Sequence, residues 1–281
     1  MIVVNSIGEL RKVIRQRIKE QGLNCNLNDI DVSRVDDMSS LFTWSRFDGD
    51  ISEWDVSNVK SMRSMFEGSK FSGDISKWDV SKVEDMNSMF AHTSFNSDIS
   101  SWDVSSVENM SWMFSSSKFT GDISKWSVGR VRDMSFMFYN SIFNGDIGSW
   151  DVSNVENMNE LFCDSQFDND ISNWNVGNVE NMDYMFCRSQ FKGDISKWDV
   201  SSVETMSHMF AKSMFCGDLS EWDVSRVKDM YGMFAYSQFY GDISNWDIGN
   251  VRDMTGMFFM SPLEDELPKW YKQPNLYVRA G

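Results

Sequence analysis

The sequence is poor in the residues that most catalytic and metal sites require. It contains only two histidines, His92 and His208, which are far apart in the chain. It has no nucleophile elbow, no phosphate-binding loop and no cluster of metal ligands at a recognisable spacing. The sequence therefore favours a protein that is not an enzyme and that needs no cofactor.

Cysteine is also scarce, with four residues and no Cys-x-x-Cys pair, so a zinc site is not indicated. Cys163 and Cys187 are separated by 24 residues. If that distance is one structural repeat, the two side chains lie on adjacent turns and within reach of a disulfide. Two reduced thiols are the simpler interpretation, because nothing else marks an oxidising compartment.

Basic charge and long apolar runs are lacking as well. The 42 acidic residues outnumber the 26 basic ones, which gives a net charge of −16. This charge argues against nucleic acid and against an anionic membrane surface as partners. No run of apolar residues is long enough for a membrane span, and no secretory leader is visible, so we expect a soluble and cytoplasmic chain without membrane insertion.

The chain does contain a rigid tandem repeat of 24 residues, which is the mark of a solenoid. We call residues that recur at this interval a column and name each column after its member between residues 47 and 70. Two columns recur without a slip. They are the tryptophans at 54, 78, 102, 126, 150, 174, 198, 222, 246 and 270, and the methionines at 38, 62, 86, 110, 134, 158, 182, 206, 230 and 254.

Within one repeat the apolar spacing changes. Trp54 and Val56 alternate around a polar residue, which predicts a short strand. From Val59 the spacing becomes three, through Met62 to Met65, which predicts a short α- or 3₁₀-helix. A recurring Ser-x-x-Glu, as at 81–84, resembles a helix capping box between the two. Each repeat is thus expected to hold one parallel strand and one short helix.

The ends of the chain differ from the repeats. Ser6 and Glu9 form a capping box before an apolar stripe, and Gly22 is a plausible stop, so residues 6–21 are predicted to be a helix. We predict one structural domain, consisting of an N-terminal capping helix in residues 1–22, a repeat solenoid of about ten turns in 23–262, and a C-terminal cap in 263–281. Terminal turns of a solenoid need such caps.

The pattern Ile51-x-x-Trp54-x-Val56-x-x-Val59 resembles the core of a leucine-rich repeat. The full unit, Phe-x-Gly-Asp-Ile-Ser-x-Trp-Asp-Val-Ser, resembles the BspA-like leucine-rich repeat surface proteins over roughly residues 23–270. The resemblance implies a leucine-rich-repeat-like α/β solenoid and a place at the cell surface, where adhesion and protein binding have been proposed for some members. In leucine-rich repeats an asparagine side chain hydrogen-bonds the backbone at the bend of each turn. Here valine takes its place, so another polar column must supply these hydrogen bonds.

An unbroken column of aspartates, the Asp50 column, supports two interpretations. In the first, each carboxylate accepts backbone N–H bonds from its own loop in an Asx-type turn, which offsets the repulsion between stacked carboxylates. In the second, the column binds calcium between turns. One Asp per turn supplies few of the oxygen ligands that a calcium ion needs, so no metal is expected. The weaker alternative would use Asp50, Asp74, Asp98 and Asp122.

Two further sets of columns could bind a partner. The Asp55 column, with Asp103, Asp151 and Asp199, should point outward beside the buried tryptophans, where it would either receive a basic partner or simply be solvated. The column at 64 and its neighbours vary most, and their aromatic residues could form a binding hot spot or pack on the next turn. These residues are Trp112, Phe136, Tyr139, Tyr184 and His208.

The sequence thus favours a non-enzymatic scaffold that recognises a protein partner of unknown identity. A passive structural spacer or assembly subunit is the main alternative, and a calcium-stabilised adhesin is a third. The sequence does not decide the oligomeric state.

Overall fold

The computed structural model describes residues 1–271, and most of this chain forms a stack of 24-residue turns. Each turn contacts the next through one parallel β-bridge, and these bridges run from Asp37↔Ser61 to Asp229↔Asp253. Regular elements occur only near the two ends of the described chain. They are strand β1 (Ile2–Val3), helix α1 (Ile7–Gln21), strand β2 (Ile30–Asp31) and a 3₁₀-helix (Pro262–Glu264).

Helix α1 covers the N-terminal end of the stack, as the capping signals predict. The Ser6 side chain accepts the Glu9 N–H, and the Gly22 N–H closes the helix on the Ile18 carbonyl. Leu10 and Ile14 are buried on the inner face. Strand β1, which pairs in parallel with β2, lies just before this helix and was not predicted.

The peptide groups of residues 62–69 alternate in direction, and this alternation joins the turns. The N–H groups of Met62 and Ser64 donate to carbonyls of the next turn, at 2.9 and 2.7 Å. The N–H groups of Met65 and Glu67 instead donate to the residue three positions before them. Backbone donors and acceptors are therefore satisfied without a helix or a continuous strand, as buried peptide groups require.

The helix predicted from the spacing of three is not formed. Between Gln21 and Pro262 the described chain contains no helix, and residues 62–65 and 66–69 form successive β-turns. The third residue of each has a positive φ, 53° at Ser64 and 62° at Gly68, as a type II turn requires. A left-handed residue interrupts a right-handed helix, so the spacing of three reflects repeated turns.

The strand predicted around Trp54 and Val56 is also absent, and the capping box predicted within each repeat does not form. Bonds from Trp54 N–H to Ile51 and from Val59 N–H to Val56 bend this segment, while the β-bridge lies at Ser61. The Ser57 hydroxyl donates to Asp55 instead of capping a helix. The leucine-rich-repeat-like classification and the domain boundaries stay predictions.

Stacked phenylalanines fill the interior of the turns. Phe66 contacts Phe90 of the next turn at 5.8 Å between ring centroids, and Phe71 of its own turn at 4.5 Å. The same parallel contacts recur along the stack, for example from Phe138 to Phe162 at 5.8 Å. Each such pair stabilises the fold by about 0.5–1.5 kcal/mol beyond what the burial of apolar area contributes.

The buried tryptophans make a hydrogen bond that the sequence analysis missed. Each indole N–H donates to the backbone carbonyl 27 residues earlier, in the preceding turn, as Trp126 does to Ile99 at 3.1 Å. The bond recurs in every turn from Trp54 (to Leu27, 3.0 Å) to Trp270 (to Ile243, 2.9 Å). The column therefore links neighbouring turns by a polar bond as well as by apolar contact.

The C-terminal end of the stack is covered by aromatic rings. Trp270 stacks on Trp246 at 6.5 Å, and Tyr271 lies edge-on against Phe258 at 5.0 Å. Of the C-terminal cap predicted for residues 263–281, the part from 272 onward lies outside the described residues.

Two substitutions at Trp126 separate the contribution of the indole hydrogen bond from that of apolar packing between turns. Trp126→Phe removes one of the two hydrogen bonds that the Ile99 carbonyl accepts, the other coming from the Trp102 N–H, which should cost about 0.5–1.5 kcal/mol in the free energy of unfolding. Trp126→Ala should cost about 3–5 kcal/mol and split urea unfolding into two transitions, because the stack is interrupted in its middle. Trp44→Ala, at a site 66% exposed, is the control. Equal stability of Trp126→Phe and the wild type would contradict the role of the hydrogen bond.

Candidate functional site

The left-handed backbone positions place one strip of side chains at the surface of the stack. Every member of the 64 column has a φ between 52° and 65°, including Trp112 at 61°, Phe136 at 58° and Tyr184 at 55°. The 68 column, four residues further on, has the same conformation, as at Arg188 with a φ of 54°. Bulky residues rarely adopt this conformation.

The first part of the strip is a compact aromatic cluster. Trp112 and Phe136 stack face to face with centroids 3.9 Å apart and planes 9° apart. Tyr139 meets the edge of Phe136 at 5.9 Å. All three side chains are half-buried. They therefore pack on one another while each keeps some accessible surface, which combines the two interpretations that the sequence left open.

A second cluster begins two turns after Phe136. Tyr184 stacks on His208 at 4.6 Å, and His208 meets Tyr231 at 4.9 Å with their planes 60° apart. Burial lowers the pKa of His208, and the carboxylates of Asp183 and Asp229 oppose this shift only in part. The imidazole is therefore neutral at physiological pH.

A carboxylate separates the two clusters. Glu160 occupies the 64 column between Phe136 and Tyr184, and burial raises its pKa. The predicted aromatic residues are thus brought together as two groups and not as one continuous stack.

Small residues form the floor beside the second cluster. Cys163, Cys187, Ala211 and Ala235 pack together, with Tyr139 and Tyr184 against them. The thiols of Cys163 and Cys187 are both free and buried. A hydrogen bond with Cys187, together with burial, raises the pKa of Cys163, so its thiol is un-ionised and a poor nucleophile.

A bidentate ion pair lies at the edge of this floor. The Arg188 Nε is 2.6 Å from Asp164 Oδ1, and its Nη2 is 2.5 Å from Asp164 Oδ2. The pair raises the pKa of Arg188, whose guanidinium stays charged in any case. The two residues belong to adjacent turns of the 68 column, so the pair adds a contact between turns.

The predicted acidic residues lie on another part of each turn. Asp103, Asp151 and Asp199 are exposed, while the preceding tryptophans are buried. Each carboxylate accepts the backbone N–H of the serine two residues later, at 3.0, 3.1 and 3.1 Å. In residues 1–271 these hydrogen bonds stay within one turn, and none of them reaches the aromatic strip.

The Asp50 column forms the Asx-type turns expected of it. Asp50 accepts the Ser52 N–H at 3.0 Å, and the same bond recurs in every turn down to Asp242 at 2.9–3.1 Å. These backbone bonds lower the pKa of Asp74, and they outweigh the repulsion from Asp50 in the turn before. Within the described chain no three His, Cys, Asp or Glu side chains are grouped to hold a metal ion.

Two further aromatic contacts lie at the surface outside the predicted site residues. Trp44 lies over Gly68 and stacks on His92, two turns away, at 5.9 Å. Tyr236 and Phe259 meet edge-on at 5.2 Å beyond the second cluster. In the sequence, this region is marked by the change from large residues to glycine at position 232 of the 64 column.

Comparison with known proteins identifies the family. The model of a family described as "Mycoplasma protein of unknown function, DUF285" matches five overlapping segments, 10–119, 70–167, 93–190, 114–214 and 164–270. The chain belongs to this family. No curated protein and no solved structure matched the chain.

Membership of DUF285 establishes a tandem-repeat protein and assigns it no activity. The matched segments include both aromatic clusters and the acidic columns. In the part of the chain that the structure describes, no helix has the length and apolar character to cross a membrane.

The Asx turns predict a pH dependence of stability. Bonds from the backbone lower the folded-state pKa of Asp98, Asp122 and Asp170 below the unfolded value of about 3.9. Their contribution is present above that value and is lost as the pH falls through the folded-state pKa. The urea midpoint should therefore be flat from about pH 7 to 5 and fall below about pH 4. Changing these three residues to Asn keeps the oxygen acceptor and should reduce the fall. An unchanged acid profile would show that the turns do not control it.

Proposed function

We propose that this chain is a non-enzymatic scaffold that recognises a protein partner through its aromatic strip, defined as Trp112, Phe136, Tyr139, Tyr184 and His208. The proposal includes a leucine-rich-repeat-like solenoid of the BspA-like kind. The repeat sequence supports this kinship, and the stacked turns are compatible with it.

The observation that carries the proposal is the strain at three large side chains. Trp112, Phe136 and Tyr184 adopt a left-handed backbone, which costs of order 1–3 kcal/mol each. Gly232 occupies the same column at no such cost. Stacking of Trp112 on Phe136 returns about 0.5–1.5 kcal/mol beyond the apolar burial of the two rings. The rings are only half-buried, so a partner that covers their remaining surface would add a further gain.

The chemistry of the strip suits a protein partner. Half-buried aromatic rings held by their neighbours lose little conformational entropy on binding, and Trp and Tyr are enriched at interface hot spots. The net charge of −16 and the exposed Asp103, Asp151 and Asp199 would steer a basic partner and raise its association rate. The same charge disfavours nucleic acid.

Two other functions make different demands on these residues. A passive spacer or assembly subunit needs the stacked core but no large aromatic residues on strained surface positions. A calcium-stabilised adhesin, which agrees with the surface location of the BspA-like proteins, needs the Asp50 column to bind the ion. Millimolar Ca²⁺ would then raise the melting temperature by mass action, whereas the present proposal expects no shift.

The test is a binding comparison between serine variants. Serine already occupies the 64 column at Ser64 and Ser88 with a positive φ, so Trp112→Ser, Phe136→Ser and Tyr184→Ser together should leave the fold intact. We expect this triple variant to lose the partner, because one anchor typically contributes 2 kcal/mol or more. Quantitative pull-down from an extract of the encoding organism, followed by titration with the captured protein, measures the loss.

Two further variants complete the comparison. Tyr240→Ser removes an aromatic residue that is 67% exposed and lies outside the strip, and it should bind normally. Changing Asp103, Asp151 and Asp199 to Asn should slow association at low salt and have little effect at high salt. A folded triple serine variant with full affinity would refute the strip as the binding surface, and loss of binding in the Asn variant alone would assign it to the acidic column.

A further inference from the structure

A recess of about 270 Å³ opens beyond the second aromatic cluster. Four aromatic rings, two glycines and two other small residues surround it. They are His208, Tyr231, Gly232, Ala235, Tyr236, Thr255, Gly256 and Phe259. Tyr231 and Tyr236 are among the more exposed aromatic residues of the described chain, so the recess opens to solvent.

The recess exists because a ring is missing from the 64 column. In the first cluster Phe136 follows Trp112 and covers its face at 3.9 Å. His208 is followed by Gly232, and a Cβ built there would lie only 2.7 Å from His208 Nε2. The imidazole therefore lies directly over the glycine, at a position where the other cluster has a stacked ring.

The surrounding rings present faces in several directions. His208 and Tyr231 are inclined by 60°, and Tyr236 and Phe259 by 86°. Aromatic faces carry partial negative charge and attract cations. The Tyr236 ring already holds the ammonium of Lys212, which lies 5.3 Å from its centroid.

Carboxylates lie beside the lining residues. Asp229 and Asp253 each use Oδ1 to accept a backbone N–H, from Tyr231 and Thr255, at 2.8 Å in both cases. Asp183 accepts the Ser207 N–H at 2.6 Å, next to His208. Two of these carboxylates are thus bonded to lining residues, and the third is bonded to the residue next to His208.

We infer that this recess binds an arginine side chain of the basic partner. A guanidinium is flat, so it can stack in the column beyond His208, where the next ring is missing. It is also a cation suited to aromatic walls whose backbone is hydrogen-bonded to carboxylates. This inference rests on the proposed function, because it names the chemistry that the far end of the same surface recognises.

Short peptides test the inference directly on the full chain. The probes are acetyl-Gly-Ser-Arg-Ser-Gly-amide, the same peptide with citrulline in place of arginine, and the same peptide with leucine. Citrulline keeps the shape of arginine but has no charge. In NMR titrations we expect the arginine peptide to bind at least about fivefold more tightly than the citrulline or leucine peptide. Equal or tighter binding of either neutral peptide would overturn the inference.

Two variants assign the binding to the recess. Lys212→Met removes the competing ammonium and should tighten the arginine peptide by about threefold, without affecting the leucine peptide. Gly232→Phe adds a Cβ too close to His208 Nε2, so it should displace the imidazole, put a ring into the recess and abolish binding. Unchanged arginine affinity in Lys212→Met, or retained binding in a folded Gly232→Phe, would contradict the assignment.

A double variant, Trp112→Ser with Phe136→Ser, separates this inference from the proposed function. It keeps Tyr184 stacked on His208, so its recess is intact and it should bind the arginine peptide like the wild type. If the triple variant loses the partner but no peptide distinguishes arginine from citrulline, only the recess assignment fails. If the arginine peptide binds as expected but the triple variant keeps the partner, only the aromatic strip fails.

Discussion

The hydrogen bond from a buried indole N–H to a carbonyl of the preceding turn is the interaction on which the stack depends. A tryptophan in an apolar interior must find an acceptor for its N–H, or it incurs a desolvation cost of about 1–3 kcal/mol. Here the acceptor is always the backbone carbonyl 27 residues earlier, as with Ile99 for Trp126 and Leu27 for Trp54. Because every turn supplies the acceptor for the next, the register between turns is fixed along the whole array.

The same backbone that closes the stack also creates its surface. Alternate peptide groups in residues 62–69 point to the next turn, and this geometry needs left-handed residues at positions 64 and 68. Glycine satisfies it at low cost, as at Gly68, and small residues such as Ser64 also occupy these positions. Larger residues can be accommodated at a cost in strain, and the aromatic strip consists of such residues. The fold thus offers positions whose side chains can change while the core columns stay constant.

Much of this arrangement could be predicted from the sequence. The inward columns, the capping of α1 by Ser6 and Gly22, and the Asx turns of the Asp50 column all follow from local chemistry that one repeat contains. The helix in each turn was predicted wrongly, because apolar residues three apart fit a helix and a series of β-turns equally well. Only bonds between turns, such as Met62 N–H to Asp85, decide between them.

The recess could not be predicted, because Gly232 matters only through the position of the His208 ring in the turn before it. Similarly, the stacking of Trp112 on Phe136 was one of two open possibilities until the spacing between turns was known. Family membership adds the repeat architecture but no ligand, so the functional argument depends on surface geometry and charge.

Hydrogen exchange of the indole N–H groups tests the central claim most directly. The chain has twelve tryptophans, and ¹⁵N NMR resolves their side-chain N–H signals separately. The nine inner members of the column, from Trp54 to Trp246, should exchange slowly, because each indole is buried and bonded to the preceding turn. Trp44 and Trp112, which lie outside the column, should exchange fast. Uniformly fast exchange of the column would contradict the account, because the turns would then not be joined by these bonds.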